Sequence, residues 1–203
     1  MTFLIQGLTM GLAYVAPIGL QNLFVINSAL GQPKRRALLT AWIVIFFDIA
    51  LSLSCFFGIG ALMQRYHWLQ AVILLVGSLI VIYIGANLLR THPTTQAPQE
   101  VVTALGKTIV TAFVVTWCNP QAIIDGTMLL GAFHVSMPAS SAAPFITGVA
   151  LASVIWFSGI TLLISHFKNG FNAKILRGIN LVCGLIILLY GAKLFWTFTQ
   201  LAF

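Results

Sequence analysis

Two acidic residues stand inside long apolar segments of this chain. The 203 residues include only three Asp and Glu residues in total, and Asp48 and Asp125 are two of them. Asp48 is the only charged residue in the range 37–62, and Asp125 follows Asn119-Pro120 in an equally apolar run. A carboxylate near the middle of a bilayer costs roughly 2.5–3.5 kcal/mol on insertion scales, so such groups usually face a bundle interior or a wet cavity. These two residues predict a path for an ion or a polar solute across a membrane.

Polar residues also cluster beside two prolines, in the segments 17–22 (PIGLQN) and 119–125 (NPQAIID). Proline lacks an amide hydrogen and clashes with the preceding helical turn, so a helix kinks or breaks there. At membrane depth, the freed carbonyls find partners only in neighbouring protein or in a wet cavity. We therefore expect the substrate-binding residues to be Pro17, Gly19, Gln21, Asn22, Asn119, Pro120 and Asp125.

Asp48 and Asp125 are also the candidates for proton coupling, because burial disfavours the charged form of a carboxyl group. Simpler interpretations stay open for the neighbouring residues. The prolines could only kink packed helices, and Asn22 and Asn119 could only form hydrogen bonds between helices. The sequence shows no Cys or His spacing typical of a metal site and no nucleotide-binding motif, so we expect no metal and no cofactor.

The composition indicates the class of protein that must position these residues. The chain is 60% hydrophobic and 6% charged, far below the roughly 25% charged residues of a soluble domain. Apolar stretches long enough to span a bilayer as a helix recur along it. We predict an all-α integral membrane protein, with one domain over 1–203 and six transmembrane helices. The predicted spans are 3–27, 37–63, 69–89, 107–131, 143–166 and 176–199.

The net charge of +7 comes from basic residues that fall in alternate loops. Eight of them lie in the loops that follow spans one, three and five, and one, Arg65, lies in the opposite set: the eight are Lys34, Arg35, Arg36, Arg90, Lys107, Lys168, Lys174 and Arg177. Cytoplasmic loops of membrane proteins carry such an excess of Lys and Arg. This distribution predicts that both termini lie outside the cytoplasm, in the periplasm or beyond, and it argues against a nucleic-acid partner.

The sequence repeats itself once, in three pairs of similar segments. The pairs are 17–22 with 120–125, 56–58 with 157–159, and 84–89 with 190–195. In the first pair Pro17 falls on Pro120 and Asn22 on Asp125. We predict two repeats, about 1–90 and about 106–203, joined by a linker near 91–105. Three spans in each repeat force the halves to cross the membrane in opposite directions, which is a 3+3 inverted repeat with helices 1 and 4 broken at Pro17 and Pro120.

The same motifs resemble the LysE amino-acid exporter superfamily. The resemblance is carried by the segment 17–22, by Phe47-Asp48 and by the segment 116–125 (TWCNPQAIID), and it covers essentially the whole chain. An acid at Asp125 is similar to the lysine and arginine exporter branch. The chain departs from the family pattern at Leu20, where a second proline is usual, and at Ile124, which precedes the acid.

The resemblance implies a secondary-active exporter of basic amino acids, lysine or arginine, in the bacterial inner membrane. We expect the proton motive force to drive it and the lipid bilayer to surround it. A homodimer is a further possibility, raised by glycines on spans three and six, among them Gly85, Gly184 and Gly191. Two alternatives stay open: a neutral amino-acid exporter (homoserine, threonine or leucine) and a divalent-cation exporter. An enzyme is disfavoured, because no nucleophile with a base and no metal cluster is visible.

Overall fold

The computed structural model describes residues 2–58, 67–90, 104–131, 133–134, 137–167 and 173–202. These residues form helices and short connections with no strand among them, which confirms the all-α prediction. Most of the predicted linker, together with Arg65 and Lys168, lies outside the described residues.

Eight α-helices and one π-helical turn follow each other along the described chain. They are α1 (Thr2–Val15), α2 (Leu20–Gly31), α3 (Lys34–Phe56), α4 (His67–Arg90), α5 (Leu105–Trp117), α6 (Pro120–Gly126), the π-helical turn (Thr127–Gly131), α7 (Ala139–Phe167) and α8 (Ala173–Ala202). The third helix ends before the predicted limit of 63, because Gly58 adopts a left-handed backbone with a φ of 100°. Glycine takes this conformation without steric cost and commonly ends a helix.

Among the described residues, two helices are long and apolar enough to cross a membrane, namely Lys34–Phe56 and the stretch 140–167 of α7. A third span results if α1 and α2 are counted together, although they are bent by 78° at the break between them. The fifth helix is shorter, and α6 follows it after Cys118 and Asn119.

Helices from the N-terminal half of the chain pack against helices from the C-terminal half. The first helix lies along α7 and α5 lies against α3, while α3 also packs directly on α7. Small residues allow the close approach of α1 and α7. A Cβ atom added at Gly7 would collide with the carbonyl of Phe145, and one added at Gly148 would collide with the carbonyl of Leu4. Such glycine contacts are typical of helix pairs in membranes.

The fourth and eighth helices form a second close pair. A Cβ added at Gly85 would lie 3.1 Å from the Gly184 carbonyl oxygen, and one added at Gly191 would lie 3.0 Å from the Ile82 amide nitrogen. These three glycines therefore serve packing within the chain, where the sequence had also suggested a homodimer.

Candidate functional site

Asp48 lies at the centre of the molecule, in the middle of α3, with 0% of its surface exposed. Both carboxyl oxygens accept hydrogen bonds. Gln21 Nε2 donates to Oδ1 at 3.0 Å, and Ser153 Oγ donates to Oδ2 at 2.6 Å. A buried carboxyl group is tolerated only when it has such partners. Asp48 thereby joins α2, α3 and α7 at one point.

Gln21 extends this network to a fourth helix. The same amide nitrogen that donates to Asp48 also donates to Thr116 Oγ1 of α5 at 3.1 Å. Thr116 is fully buried. The sequence predicted Gln21 and Asp48, but it gave no signal for Ser153 or Thr116, which are small hydroxyl residues in apolar helices. Their importance comes from how the helices cross.

Asn22 joins the two sides of the first helix break. Its Nδ2 donates to the carbonyl oxygens of Val15 at 2.9 Å and Pro17 at 2.8 Å, and its Oδ1 accepts a hydrogen bond from Trp156 Nε1 at 2.8 Å. Both amide hydrogens are therefore used on carbonyls that the break frees from the helix. The sequence predicted Asn22 as a substrate ligand, whereas in this conformation its side chain holds the break and ties it to α7.

The start of α2 is the accessible part of the first break. Pro17 is exposed, Ile18 is 71% exposed, and Gly19 is half-buried. No side chain caps the N-terminus of α2, and a Cβ added at Gly19 would meet only the Pro17 carbonyl, at 4.0 Å. The N-terminus of a helix offers backbone N–H groups and a partial positive charge, which favour an anion.

The second break, between α5 and α6, is shorter, and one of its own residues caps α6. Asn119 is buried, and its Oδ1 accepts a hydrogen bond from the Ala122 amide at 3.4 Å. Pro120 occupies the first turn of α6, where a missing amide hydrogen is tolerated. Gln121 belongs to the same turn, and nothing is described of its side chain or of the Pro120 ring.

Asp125 lies near the end of α6, and its side chain is exposed. Asp48 is fully buried, so the two acids differ in their accessibility. The structure thus brings Gln21, Asn22 and Asp48 together through shared helices and places Asp125 on an accessible surface of the second break.

Three contacts hold α6 against the first half of the chain. The Tyr14 hydroxyl donates to the Ala122 carbonyl at 3.2 Å, and Cys55 Sγ donates to the Ile123 carbonyl at 3.6 Å. A Cβ added at Gly126 would lie 2.9 Å from Cys55 Sγ and 3.2 Å from the Tyr14 hydroxyl. Only glycine fits at this position without a shift of its neighbours.

The titratable groups that interact electrostatically with Asp48 are the phenol of Tyr14 and the thiol of Cys55. The other groups in contact with its carboxyl oxygens, from Gln21 and Ser153, are neutral. Within the part of the chain that the structure describes, no group of three or more His, Cys, Asp and Glu residues could hold a metal ion.

Comparison with known proteins finds the same kind of molecule repeatedly. The family model of the LysE type translocator matches residues 12–197. The chain is 31% identical over 191 residues to the arginine exporter protein ArgO of Klebsiella pneumoniae (strain 342), covering 92% of this chain and 90% of that one. It is 30% identical over 198 residues to the protein of that name from Salmonella schwarzengrund (strain CVM19633), covering 95% and 93%. No solved structure matches the chain.

Proposed function

Because the chain belongs to the LysE type translocator family, we propose that it exports amino acids, and basic ones above all. Membership makes it a membrane transporter rather than an enzyme, and with its apolar helices it is an inner-membrane protein. The relatives are named arginine exporters, and they align with almost the whole chain. We extend that substrate to this chain, together with lysine.

The observation that carries the proposal is the difference in burial between Asp48 and Asp125. Asp48 is fully buried and hydrogen-bonded through both oxygens, so it is not accessible to a solute in this conformation. Asp125 is exposed beside the second break and can meet a cationic group. We assign Asp125 to the ammonium or guanidinium group of the substrate and Asp48 to the coupling proton.

The start of α2 completes the substrate site in this proposal. An amino acid carries a carboxylate, which suits the uncapped N-terminus of α2 at Gly19. Gln21 follows on the same helix and contacts Asp48, so movement of the α2 N-terminus would reach the buried carboxyl group. Substrate binding and proton uptake are thereby coupled through one short helix.

The helix packing supports the 3+3 inverted repeat. In the proposed repeat α1 corresponds to α5 and α3 corresponds to α7. The packing of α1 on α7 and the packing of α5 on α3 are then equivalent contacts between the two halves. The segment pair 56–58 and 157–159 gives an offset of 101 residues, from Phe56 to Phe157. That offset relates two observed contacts to each other: Phe56 stacks on Phe145, and Phe157 shares a buried cluster with Val44. Rocking of the two halves about a site between them would give access to each side in turn.

The orientation and the driving force belong to the same proposal. We expect α3 to begin in the cytoplasm, because Lys34, Arg35 and Arg36 open it, and both termini to lie outside. A cysteine in place of Gln32, just before α3, should then resist an impermeant reagent added to intact cells. Rapid labelling from outside would reverse the orientation. The homodimer stays a prediction.

Export by purified protein in liposomes tests the proposal. Vesicles are preloaded with radiolabelled arginine, lysine or leucine, and an inward proton gradient is imposed. We expect arginine and lysine to leave faster than leucine by about tenfold or more, since a desolvated charge contact is worth about 2–5 kcal/mol. A protonophore should remove the stimulation. Faster leucine export would favour the neutral substrates. Export that the gradient does not affect would contradict proton coupling.

A further inference from the structure

A partly open pocket, with a cavity volume of about 230 Å³, lies between α3 and α7, one helical turn from the contact between Asp48 and Ser153. Ser52, Leu53 and Val149 are among the residues that line it. Ser52 is 2% exposed, and among the described residues its hydroxyl group has no hydrogen-bond partner. A buried hydroxyl group without a partner costs stability.

The position of this cavity follows from the repeat. The offset of 101 residues that places Phe56 on Phe157 also places Ser52 on Ser153 and Asp48 on Val149. The facing residues Ser52 and Val149 are therefore the counterpart of the facing residues Ser153 and Asp48. A hydrogen bond of 2.6 Å joins Ser153 to Asp48. Between Ser52 and Val149 there is a pocket instead, and the Ser52 hydroxyl group has no partner among the described residues.

We propose that these two places are the alternating ends of a switch that covers and uncovers Asp48. In the described conformation the seam between α3 and α7 is closed at Asp48 and open at Ser52. In a second conformation the halves exchange their arrangements, so the seam closes at Ser52 and opens at Asp48. This inference rests on the proposed inverted repeat, and it adds the residues that position Asp48 in each state.

The counterparts of the lining residues define the second cavity. Leu53 and Val149 line the observed cavity, and the same offset relates them to Val154 and Asp48. A cavity lined by Val154 and Asp48 would bring a carboxyl group that is now fully buried into contact with water. Closing the seam at Ser52 would bury the apolar side chains that line the present pocket, which offsets the hydrogen bond lost between Ser153 and Asp48.

Thiol labelling of two matched positions tests the switch. Cys55, Cys118 and Cys183 are first replaced by Ala, and the resulting protein is checked for export. Leu53→Cys then reports the observed cavity, and Val154→Cys reports its counterpart. The protein is placed in nanodiscs, which expose both membrane faces, and the rate of reaction with a charged methanethiosulfonate is measured at each position.

Removing the hydroxyl group of Ser153 should shift the balance towards the second conformation. In Ser153→Ala we expect the labelling rate to rise at Val154→Cys and to fall at Leu53→Cys. The product of the two changes should be about threefold or more, because that product equals the change in the equilibrium constant, which one hydrogen bond is expected to shift by this amount. Ser52→Leu fills the present cavity and should lower labelling at Val154→Cys. Ser54→Ala is the matched control, because among the described residues the Ser54 hydroxyl group bonds within its own helix, to the Ala50 carbonyl at 2.8 Å.

Arginine efflux by the same proteins separates this inference from the proposed function. Labelling rates that change in the same direction in Ser153→Ala, or an unreactive Val154→Cys in protein that exports arginine, would overturn the switch and leave export intact. Opposite changes in a protein that exports no arginine would support the switch and remove the substrate assignment.

Discussion

At the first helix break α1 and α2 meet at 78° with Pro17 between them, whereas at the second break Pro120 already belongs to the first turn of α6. The carbonyls of the first break are held by Asn22, a side chain from the helix that follows. The second break is capped by Asn119, the residue immediately before its proline. An asparagine therefore stabilises each break, but it follows the proline at the first break and precedes it at the second.

The two breaks also differ in how deeply their polar residues are placed. Asn22 is 3% exposed. Its neighbour Gln21 donates a hydrogen bond to Asp48, and Asn22 itself accepts one from Trp156 of α7. Asp125, at the matching place of the second break, is exposed. The two breaks thus differ in whether a neighbouring helix covers the polar residue or leaves it accessible.

The largest effect on stability is expected from Asn22→Ala. It leaves the carbonyls of Val15 and Pro17 and the Trp156 N–H without the Asn22 partner. The bond to Val15 is buried and the other two are partly buried, and a fully buried group that loses its partner costs about 1–3 kcal/mol. Thermal unfolding of the purified protein in detergent should show a loss of about 2–4 kcal/mol. Trp156→Phe removes only the third bond and should cost less. Equal losses for both variants would mean that Asn22 does not hold the break.

The next largest effect concerns the packing of α6. Gly126→Ala places a methyl group 2.9 Å from Cys55 Sγ, so we expect a loss of about 1–3 kcal/mol from overpacking. In the double variant Gly126→Ala, Cys55→Ala the clashing sulfur is gone, and part of that stability should return. Unfolding of the four proteins in the double-mutant cycle measures the coupling. A purely additive cycle would contradict the contact.

A smaller effect is expected at the cap of the second break. Asn119→Ala removes the side-chain acceptor for the Ala122 amide, and loss of such a cap costs about 0.5–2 kcal/mol. The bond is long, at 3.4 Å, so we expect the lower end of this range. Asn119→Asp keeps an acceptor and should unfold at nearly the parent temperature. A loss as large as that of Asn22→Ala would erase the difference between the breaks.

The smallest effect on stability is expected from Pro120→Ala, because Ala is well accepted in the first turn of a helix and Asn119 still defines the start of α6. We expect a change below about 0.5 kcal/mol. The sequence placed both prolines among the substrate-binding residues. The structure sharpens this: Pro17→Ala lets α1 extend into the break and should slow arginine efflux, whereas Pro120→Ala should slow it less. Equal slowing by both would contradict the comparison.

Much of the architecture could be predicted from local sequence. The predicted spans 69–89, 143–166 and 176–199 lie within α4, α7 and α8, because long apolar runs favour helices, whereas 3–27 and 107–131 are each divided by a break. The end of α3 was predicted too late, since residues 59–63 are also apolar and hydropathy does not register the left-handed Gly58. The structure shows a bend of 78° between α1 and α2, and it buries Asp48, whose apolar neighbours along the chain had indicated a place inside the bundle.

The partners of the site residues could not be predicted in this way. Ser153, Thr116 and Trp156 lie 105, 95 and 134 residues from the groups that they contact. Their selection depends on how α5 and α7 cross α2 and α3, which no local pattern encodes. For the same reason the sequence did not distinguish Asn22 from Asp125, which differ in this conformation because Asn22 is buried and Asp125 is exposed.

The most direct test of the account compares Asp125→Asn with Asp48→Asn in preloaded liposomes under an imposed proton gradient. Efflux of arginine and of leucine is measured for each protein. In Asp125→Asn we expect arginine efflux to fall by more than about tenfold, since the lost charge contact is worth about 2–5 kcal/mol, while any leucine efflux is largely kept. In Asp48→Asn we expect both to lose their stimulation by the gradient. Arginine efflux at the parent rate from Asp125→Asn would contradict the cationic-substrate assignment and favour a neutral amino acid or a metal ion.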